Sequence, residues 1–215
     1  MPAEATIASV PMRSSTTAAT NVPVPGPYPA GGPSRRSSTG GRSRAGADRA
    51  ITRAPVLDAP NPELFREVFG RFATGVAVIT SAGPGGPGGM TANSLCSLSL
   101  EPLMTLVCIE NGARTLPIVR EAGRFALNVL GAEQEDLAGL FASKLPEAEK
   151  LEEVAHHFEH RMPIIDGTLA WAVCDLRELI AGGDHTIALG EIVAMGLGVG
   201  RPLLWFGGRY HAWPG

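Results

Sequence analysis

The sequence predicts a protein that is mainly β, folded as a small antiparallel barrel with a few flanking helices. Two observations support this. Six or seven runs of apolar, β-branched or alternating residues each have the length of a strand. Most of the links between them have hairpin length, and only one helical excursion interrupts their order. A parallel sheet would instead need a helix after nearly every strand.

A short amphipathic helix opens the folded part. Asn61 is a good N-cap and Pro62 suits the first helical position. Apolar side chains then recur at helical spacing as far as Phe72. We expect this helix to end near Gly75.

The strands follow in order. Residues 74–81 are β-branched and apolar, and residues 82–89 are almost all glycine and proline, which predicts a strand and then a turn. Small polar and apolar side chains alternate over residues 90–100, as in a half-buried strand. By the same reasoning we expect further strands at residues 103–110, 124–130, 168–179, 185–197 and 203–210.

Three segments have helical spacing instead: a short turn at 115–121, a helix at 133–144 and a second helix at 147–160, after Pro146. In the last of these, His156 and His160 would share one face and could pair on zinc. No third or fourth ligand stands at a usual spacing, and acidic neighbours favour a solvated helix. We therefore expect no metal site.

Composition bounds the class of protein. The chain has 215 residues and is 44% hydrophobic, which suits one core of ordinary domain size. No apolar run approaches the roughly 20 residues of a membrane span, and no secretory signal is evident. The three cysteines stand singly in apolar runs, against a disulfide framework or a zinc site. We expect a soluble, cytoplasmic protein without a membrane segment.

The first 55 residues are rich in Ser, Thr, Pro, Gly and Ala and have no periodic apolar face. They contain seven arginines and two carboxylates, a net charge of +5, so the remainder of this −3 chain carries −8. We expect a disordered extension at residues 1–58 and one domain at residues 59–215. A solvated extension or an upstream start site is favoured over a nucleic-acid-binding arm or a transit peptide.

No Rossmann, P-loop, zincin or nucleophile-elbow motif is present, so the chemistry of an enzyme here would belong to a bound cofactor. The strongest local signal is GMTANSLCSLS at residues 89–99. Small polar residues on one face of a strand can align neutral donors and acceptors along the edge of a flat heterocycle such as a flavin. Alternatively, the segment is an ordinary solvent-facing strand edge.

Five segments, in this order, carry a family resemblance: FREVFGRFATGVAVIT, GMTANSLCSLSLEPLMTLVCI, RFALNVL, GDHTIALGEI and PLLWFGGRY. Over residues 65–211 the chain resembles the flavin reductase-like, FMN-binding split-barrel family, the reductase components of two-component flavin monooxygenases. The resemblance implies an antiparallel split β-barrel and a homodimer. It also implies NAD(P)H-dependent reduction of FMN or FAD by hydride transfer to flavin N5, with diffusive transfer to a monooxygenase.

The resemblance also implies roles for individual residues. Those beside the isoalloxazine ring would be Thr91, Ala92, Asn93 and Ser94. Those towards the ribityl chain and phosphate would be Ser97, Ser99, Arg114, Thr115, Phe141, Ser143 and Lys144, although Ala113 replaces a serine common in the phosphate loop. Arg209 and Tyr210 would close over the flavin.

Asp184 and His185 match residues beside the nicotinamide pocket, with His185 as the candidate catalytic residue. A histidine with a pKa near neutrality can donate a hydrogen bond to the dinucleotide or to the reduced flavin. Without the resemblance, Gly182–Asp184 is ordinary turn chemistry.

Two alternative functions use the same residues. One is an oxidoreductase that retains FMN and acts directly on an organic substrate, which the same barrel permits because fold does not fix function. The other is a flavin-binding module without catalysis.

Overall fold

The structure, a computed structural model of the chain, describes residues 59–213. In chain order the elements are α1 (Pro62–Phe69), β1 (Thr74–Gly75), β2 (Ala77–Gly83), β3 (Gly86–Ala92), β4 (Leu95–Leu100), β5 (Leu103–Glu110), α2 (Thr115–Ala122), β6 (Arg124–Val129), α3 (Glu135–Ala142), α4 (Glu147–Glu152), β7 (His156–Glu159), β8 (Met162–Ile165), β9 (Ala170–Gly182), β10 (His185–Leu197), β11 (Leu203–Phe206) and β12 (Arg209–Ala212). The extension expected at residues 1–58 lies outside the described residues.

Seven strands form the main sheet, in the order β3-β2-β6-β9-β10-β5-β4, and every neighbouring pair is antiparallel. The long hairpin of β9 and β10 joins its two halves. A three-stranded sheet β1-β11-β12 and the hairpin β7-β8 complete the strands. The predicted fold class, mainly antiparallel β with flanking helices, is confirmed.

The core lies between the sheet and α2. Its largest cluster includes Ile79 of β2, Ile109 of β5 and Phe125 of β6, which are fully buried. A second cluster lies under α3 and α4 and contains Phe141 and Leu151. Most of β2 and β6 is buried, which explains why both strands are almost continuously apolar.

Helix α1 begins as predicted, because the Asn61 side chain accepts a hydrogen bond from the Leu64 N–H at 2.9 Å. It ends at Phe69, with Gly70 as C-cap, rather than near Gly75. None of its residues is buried, and the rings of Phe65 and Phe69 face solvent. Within residues 59–213, the apolar face that predicted this helix is therefore left uncovered.

The turn predicted at residues 82–89 is present but was wrong in its extent, since only Pro84 and Gly85 form it. Strand β2 continues to Gly83, and β3 begins at Gly86 after a tight hairpin. These glycines lie in a strand, where their lack of a side chain leaves room for helices that pack directly onto it. A Cβ on Gly88 would lie 2.6 Å from an Ile118 side-chain atom. The strand predicted at residues 90–100 was also wrong as a single element, since it divides into β3 and β4 around Asn93 and Ser94.

The helix predicted at residues 147–160 ends at Glu152, and residues 156–159 form strand β7. His156 and His160 therefore do not share a helical face. Among residues 59–213, no group of three or more potential ligand side chains could hold a metal ion. The strand predicted at residues 203–210 is a hairpin, turned by Gly207 and Gly208 at φ values of 60° and 79°.

Within the described part of the chain, no helix combines the length and apolar character needed to cross a membrane.

Candidate active site

Two adjoining hollows open at the corner where β3 gives way to β4. The smaller, of about 180 Å³, is lined by Thr91, Ala92, Asn93, Ala142, Val76, Trp205 and Tyr210. The larger, of about 630 Å³, is an apolar groove between α1 and strands β4 and β5. Asn93 and Trp205 line both hollows, which therefore adjoin each other. We call the two hollows together the corner groove.

Hydrogen bonds hold the polar side chains of the corner in place. The Thr91 hydroxyl donates to the Ala138 carbonyl of α3 at 2.7 Å. The Asn93 amide donates to the Thr74 hydroxyl at 3.2 Å, and the Ser94 hydroxyl donates to the Cys108 carbonyl at 3.1 Å. Ala92 is buried. The structure thus brings together all four residues that the resemblance implied for the ring.

Tyr210 closes the small hollow from the other side. Its ring packs edge-on against Trp205, with ring centroids 4.9 Å apart. Burial raises the pKa of Tyr210, and the carboxylate of Glu135 raises it further. The phenol is therefore a neutral donor at physiological pH. Arg209 is exposed and lies across β11–β12 from Phe206.

Ser97 and Ser99 lie farther along β4 and line neither hollow. The ladder between β4 and β5 is irregular between them. The Ser99 hydroxyl accepts a hydrogen bond from the Glu101 N–H at 3.1 Å. The structure therefore places Ser97 and Ser99 outside the corner groove.

Two residues implied for the phosphate side turn inward, which corrects the expectation for their side chains. Phe141 is 1% exposed because it packs in the core against Gly89. Thr115 is fully buried, and its hydroxyl donates to the Glu147 carboxylate at 3.3 Å. Neither side chain is therefore placed to contact a ligand.

Other phosphate-side residues do reach the surface. The Arg114 guanidinium is half-exposed, donates to the Leu145 carbonyl and lies 3.5 Å from the Glu147 carboxylate. Lys144 is exposed, and the hydroxyl of Ser143 accepts from the Leu145 N–H at 3.3 Å. Two cationic side chains, Arg114 and Lys144, thus stand beside the loop between α3 and α4.

Sequence reasoning missed Glu147 and Lys150 of α4. Lys150 is buried, and its ammonium lies 3.0 Å from the Glu147 carboxylate. A glutamate and a lysine three residues apart are usual on the solvated face of a helix, so the pattern alone carries no signal of burial.

Asp184 and His185 lie at the tip of the β9–β10 hairpin. Gly183 makes the turn at φ 75°, and His185 Nδ1 lies 2.8 Å from the Asp184 carboxylate. This hydrogen bond and the charge of His185 lower the pKa of Asp184. His185 pairs with Glu110, two residues beyond the groove-lining Cys108. Asp184 and His185 therefore lie near one end of the corner groove without lining it.

The corner groove suits a flat heterocycle such as a flavin. One wall offers hydroxyl and amide groups with small side chains, which allow a ring to approach closely. The opposite walls are apolar or aromatic. A few polar groups in an otherwise apolar cleft are typical of cofactor sites.

Comparison with known proteins agrees with this geometry. A family described as "Flavin reductase like domain" matches residues 69–214. The reductase component of 4-nitrophenol 4-monooxygenase/4-nitrocatechol 2-monooxygenase from Rhodococcus opacus is 38% identical over 155 residues, 72% of this chain and 83% of that protein. The FMN reductase (NADH) SmoA of Agrobacterium fabrum is 36% identical over 155 residues, 72% of this chain and 88% of that protein.

Among solved structures, the NADH:FAD oxidoreductase SgcE6 of Streptomyces globisporus C-1027, in complex with NAD and FAD fragments, superposes with a TM-score of 0.69 at 35% identity. The match covers 74% of this chain and 97% of that one. The family match spans more than half of the chain. The chain therefore belongs to the flavin reductase-like domain family and has its split-barrel fold.

Proposed function

We propose that this protein oxidises NADH or NADPH, transfers the hydride to N5 of FMN or FAD, and releases reduced flavin to a partner monooxygenase by diffusion. The observation that carries the proposal is the corner groove, whose hydroxyl- and amide-bearing wall begins at Thr91. The relatives support both flavins, since one is named an FMN reductase (NADH) and another an NADH:FAD oxidoreductase.

Within this proposal, Thr91, Ala92, Asn93 and Ser94 hold the ring, and Tyr210 closes over it. Arg114, Ser143 and Lys144 face the phosphate. A bound flavin supplies the two-electron acceptor. The protein's task is positioning, because hydride transfer needs two rings stacked at van der Waals separation and no protein base is obligatory.

His185 acts on the dinucleotide. The Asp184 carboxylate lies 2.8 Å from Nδ1 and orients the ring. Held in this way, the ring presents Nε2 to the carboxamide or a phosphate of the nicotinamide dinucleotide. We also infer a cytoplasmic location, because the three cysteines are free thiols.

A homodimer completes the proposal. Helix α1 exposes Phe65, Phe69 and Val68, and nearby Phe72 is also exposed. The rings of Phe65, Phe69 and Phe72 all line the corner groove. A second copy that covered this face would bury the rings and enclose the groove.

Turnover with free flavin tests the function. A trace of protein is mixed with NADH or NADPH and an excess of FMN or FAD, and the loss of nicotinamide absorbance is followed. Many turnovers per chain support the reductase. Binding without turnover would instead indicate a flavin-binding module, and flavin retained through gel filtration with no turnover of free flavin would indicate an FMN-retaining enzyme.

A further inference from the structure

Helix α4 places an ion pair beneath the edge strand β3. The side chains of Lys150 and Glu147 are 3% and 12% exposed, and Lys150 Nζ lies 3.0 Å from Glu147 Oε1. Neither residue lines the corner groove. The pair therefore has no direct contact with the space where a flavin is proposed to lie.

The Glu147 carboxylate joins two segments of the chain to α4. Its Oε2 accepts hydrogen bonds from the Gly89 N–H of β3 at 2.9 Å and from the Thr115 hydroxyl of α2 at 3.3 Å. Its Oε1 lies 3.5 Å from Arg114 Nε. The same guanidinium also donates to the Leu145 carbonyl, in the loop between α3 and α4.

Lys150 completes the connection. Its ammonium donates to the Phe141 carbonyl at the end of α3 at 3.3 Å and to the Gly89 carbonyl at 3.5 Å. Because β3 is an edge strand, an outward-facing amide and carbonyl would have no strand partner. The ion pair provides partners for both groups of Gly89, two residues before Thr91.

Stability alone does not account for this arrangement. A buried ion pair pays a large desolvation cost, and a well-packed apolar pair of similar volume is often as stable or more stable. The pair does, however, connect β3, the start of α2 and the α3–α4 loop. These are the three segments proposed to hold the flavin ring and phosphate.

We propose that Glu147 and Lys150 are positioning residues for flavin: without touching it, they fix β3, Arg114 and the α3–α4 loop relative to one another. This inference rests on the proposed function. It assigns a specific contribution to flavin affinity, separate from dinucleotide binding and from the chemical step.

Glu147→Asp is the first test, because it keeps the charge beside Lys150 but withdraws the carboxylate from Gly89. We expect the Kd for FMN, measured on the apoprotein by quenching of flavin fluorescence, to rise about tenfold. At saturating FMN, kcat and the KM for the dinucleotide should stay within about twofold of the wild-type values. The matched control is Glu149→Asp, an exposed position on the same helix.

The double variant Glu147→Gln with Lys150→Met separates positioning from stability, since it leaves no buried charge. It should remain folded at the assay temperature, as circular dichroism checks, yet bind FMN about tenfold more weakly. An FMN Kd within about twofold of wild type in either folded variant would overturn the inference. So would an equal loss of dinucleotide affinity. If the wild-type protein itself failed to bind or reduce flavin, the proposed function would fall instead.

Discussion

His185 and His157 offer a comparison of two histidines in similar settings. Each has its Nδ1 within 2.8 Å of a neighbouring aspartate, Asp184 and Asp166 respectively, and each is partly exposed. They differ in place, because His185 lies near the end of the corner groove and His157 lies on β7. The pairing with aspartate therefore does not distinguish the two histidines, and only their location does.

We predict that His185→Ala raises the KM for the dinucleotide about tenfold and changes the KM for flavin much less, because the imidazole is proposed to contact only the dinucleotide. Steady-state kinetics with each substrate varied in turn measures both constants. His157→Ala is the matched control and should leave both unchanged. An unaltered dinucleotide KM in His185→Ala would remove this residue from the site.

The three cysteines differ in exposure. Cys96 is exposed, Cys108 is half-buried and Cys174 is fully buried. Burial, with the charge of Asp175, raises the pKa of Cys174 to about 12, and burial with the nearby Cys96 also raises that of Cys108. Thiolate is the reactive form, so a raised pKa leaves the neutral, unreactive thiol below that pH.

At about pH 8 and without flavin, we expect iodoacetamide to modify the groove-lining Cys96 and Cys108 before Cys174, which should react only after unfolding. Peptide mass spectrometry over time distinguishes the three sites. Labelling of Cys174 in the folded protein at the rate of Cys96 would contradict the core described here. Addition of denaturant is the control, since it should make all three thiols reactive.

Residue roles were only partly predictable. A hydroxyl or a phenyl ring in a motif carries no information about which side of its backbone is buried, so Thr115 and Phe141 could not be distinguished from Thr91 by type. The surrounding helices decide this. Glu147 and Lys150 were not predictable for the same reason, because their burial depends on β3, nearly 60 residues earlier in the chain.

At the scale of elements, the glycines of β3 reflect close packing of helices on a strand. A Cβ on Gly89 would lie 2.9 Å from the Phe141 ring and 3.0 Å from the Ile79 carbonyl oxygen. Gly139, in the middle of α3, has no atom within 4 Å of its added Cβ. Two glycines in adjacent elements thus differ in the space beside them.

Gly89→Ala should lower the free energy of unfolding by about 1–3 kcal/mol, because the backbone carbonyl cannot move away from the new methyl group. Gly139→Ala should raise it by about 0.5–1 kcal/mol, the usual gain for alanine in a helix. Denaturant titration of both variants measures the difference. Equal stabilities would be incompatible with helices packed this closely on β3.

Element boundaries depended on contacts that sequence patterns do not contain. Strand β7 has two histidines and a glutamate and no strand-forming pattern of its own. It forms because β8, all of whose residues are buried, pairs with it. The glycine-rich first half of β3 was predicted as a turn because glycine usually marks turns, and the helices that pack on it lie about 30 to 60 residues later.

At the scale of the whole molecule, the sequence was most informative. Apolar runs joined by short links predicted the antiparallel architecture, and the ordered set of motifs predicted the family. Both predictions are confirmed. Such signals are spread over many residues, so errors at single boundaries do not alter them.

We predict a homodimer held partly by α1, because its exposed aromatic side chains have no partner within residues 59–213 large enough to bury them. Phe69→Asp should shift the protein from twice the chain mass to the monomer mass in sedimentation velocity. Val199→Asp is the control, since Val199 is 96% exposed and lies far along the chain from α1. A wild-type protein that sediments as a monomer would remove the dimer.

The central claim is that the corner groove seats a flavin ring. Its most direct measurement is isothermal calorimetry of the purified protein with FMN and with FAD, alongside near-ultraviolet circular dichroism to verify the fold. The account predicts saturable binding of at least one of these flavins, with one site per chain. A folded protein that takes up neither would contradict it.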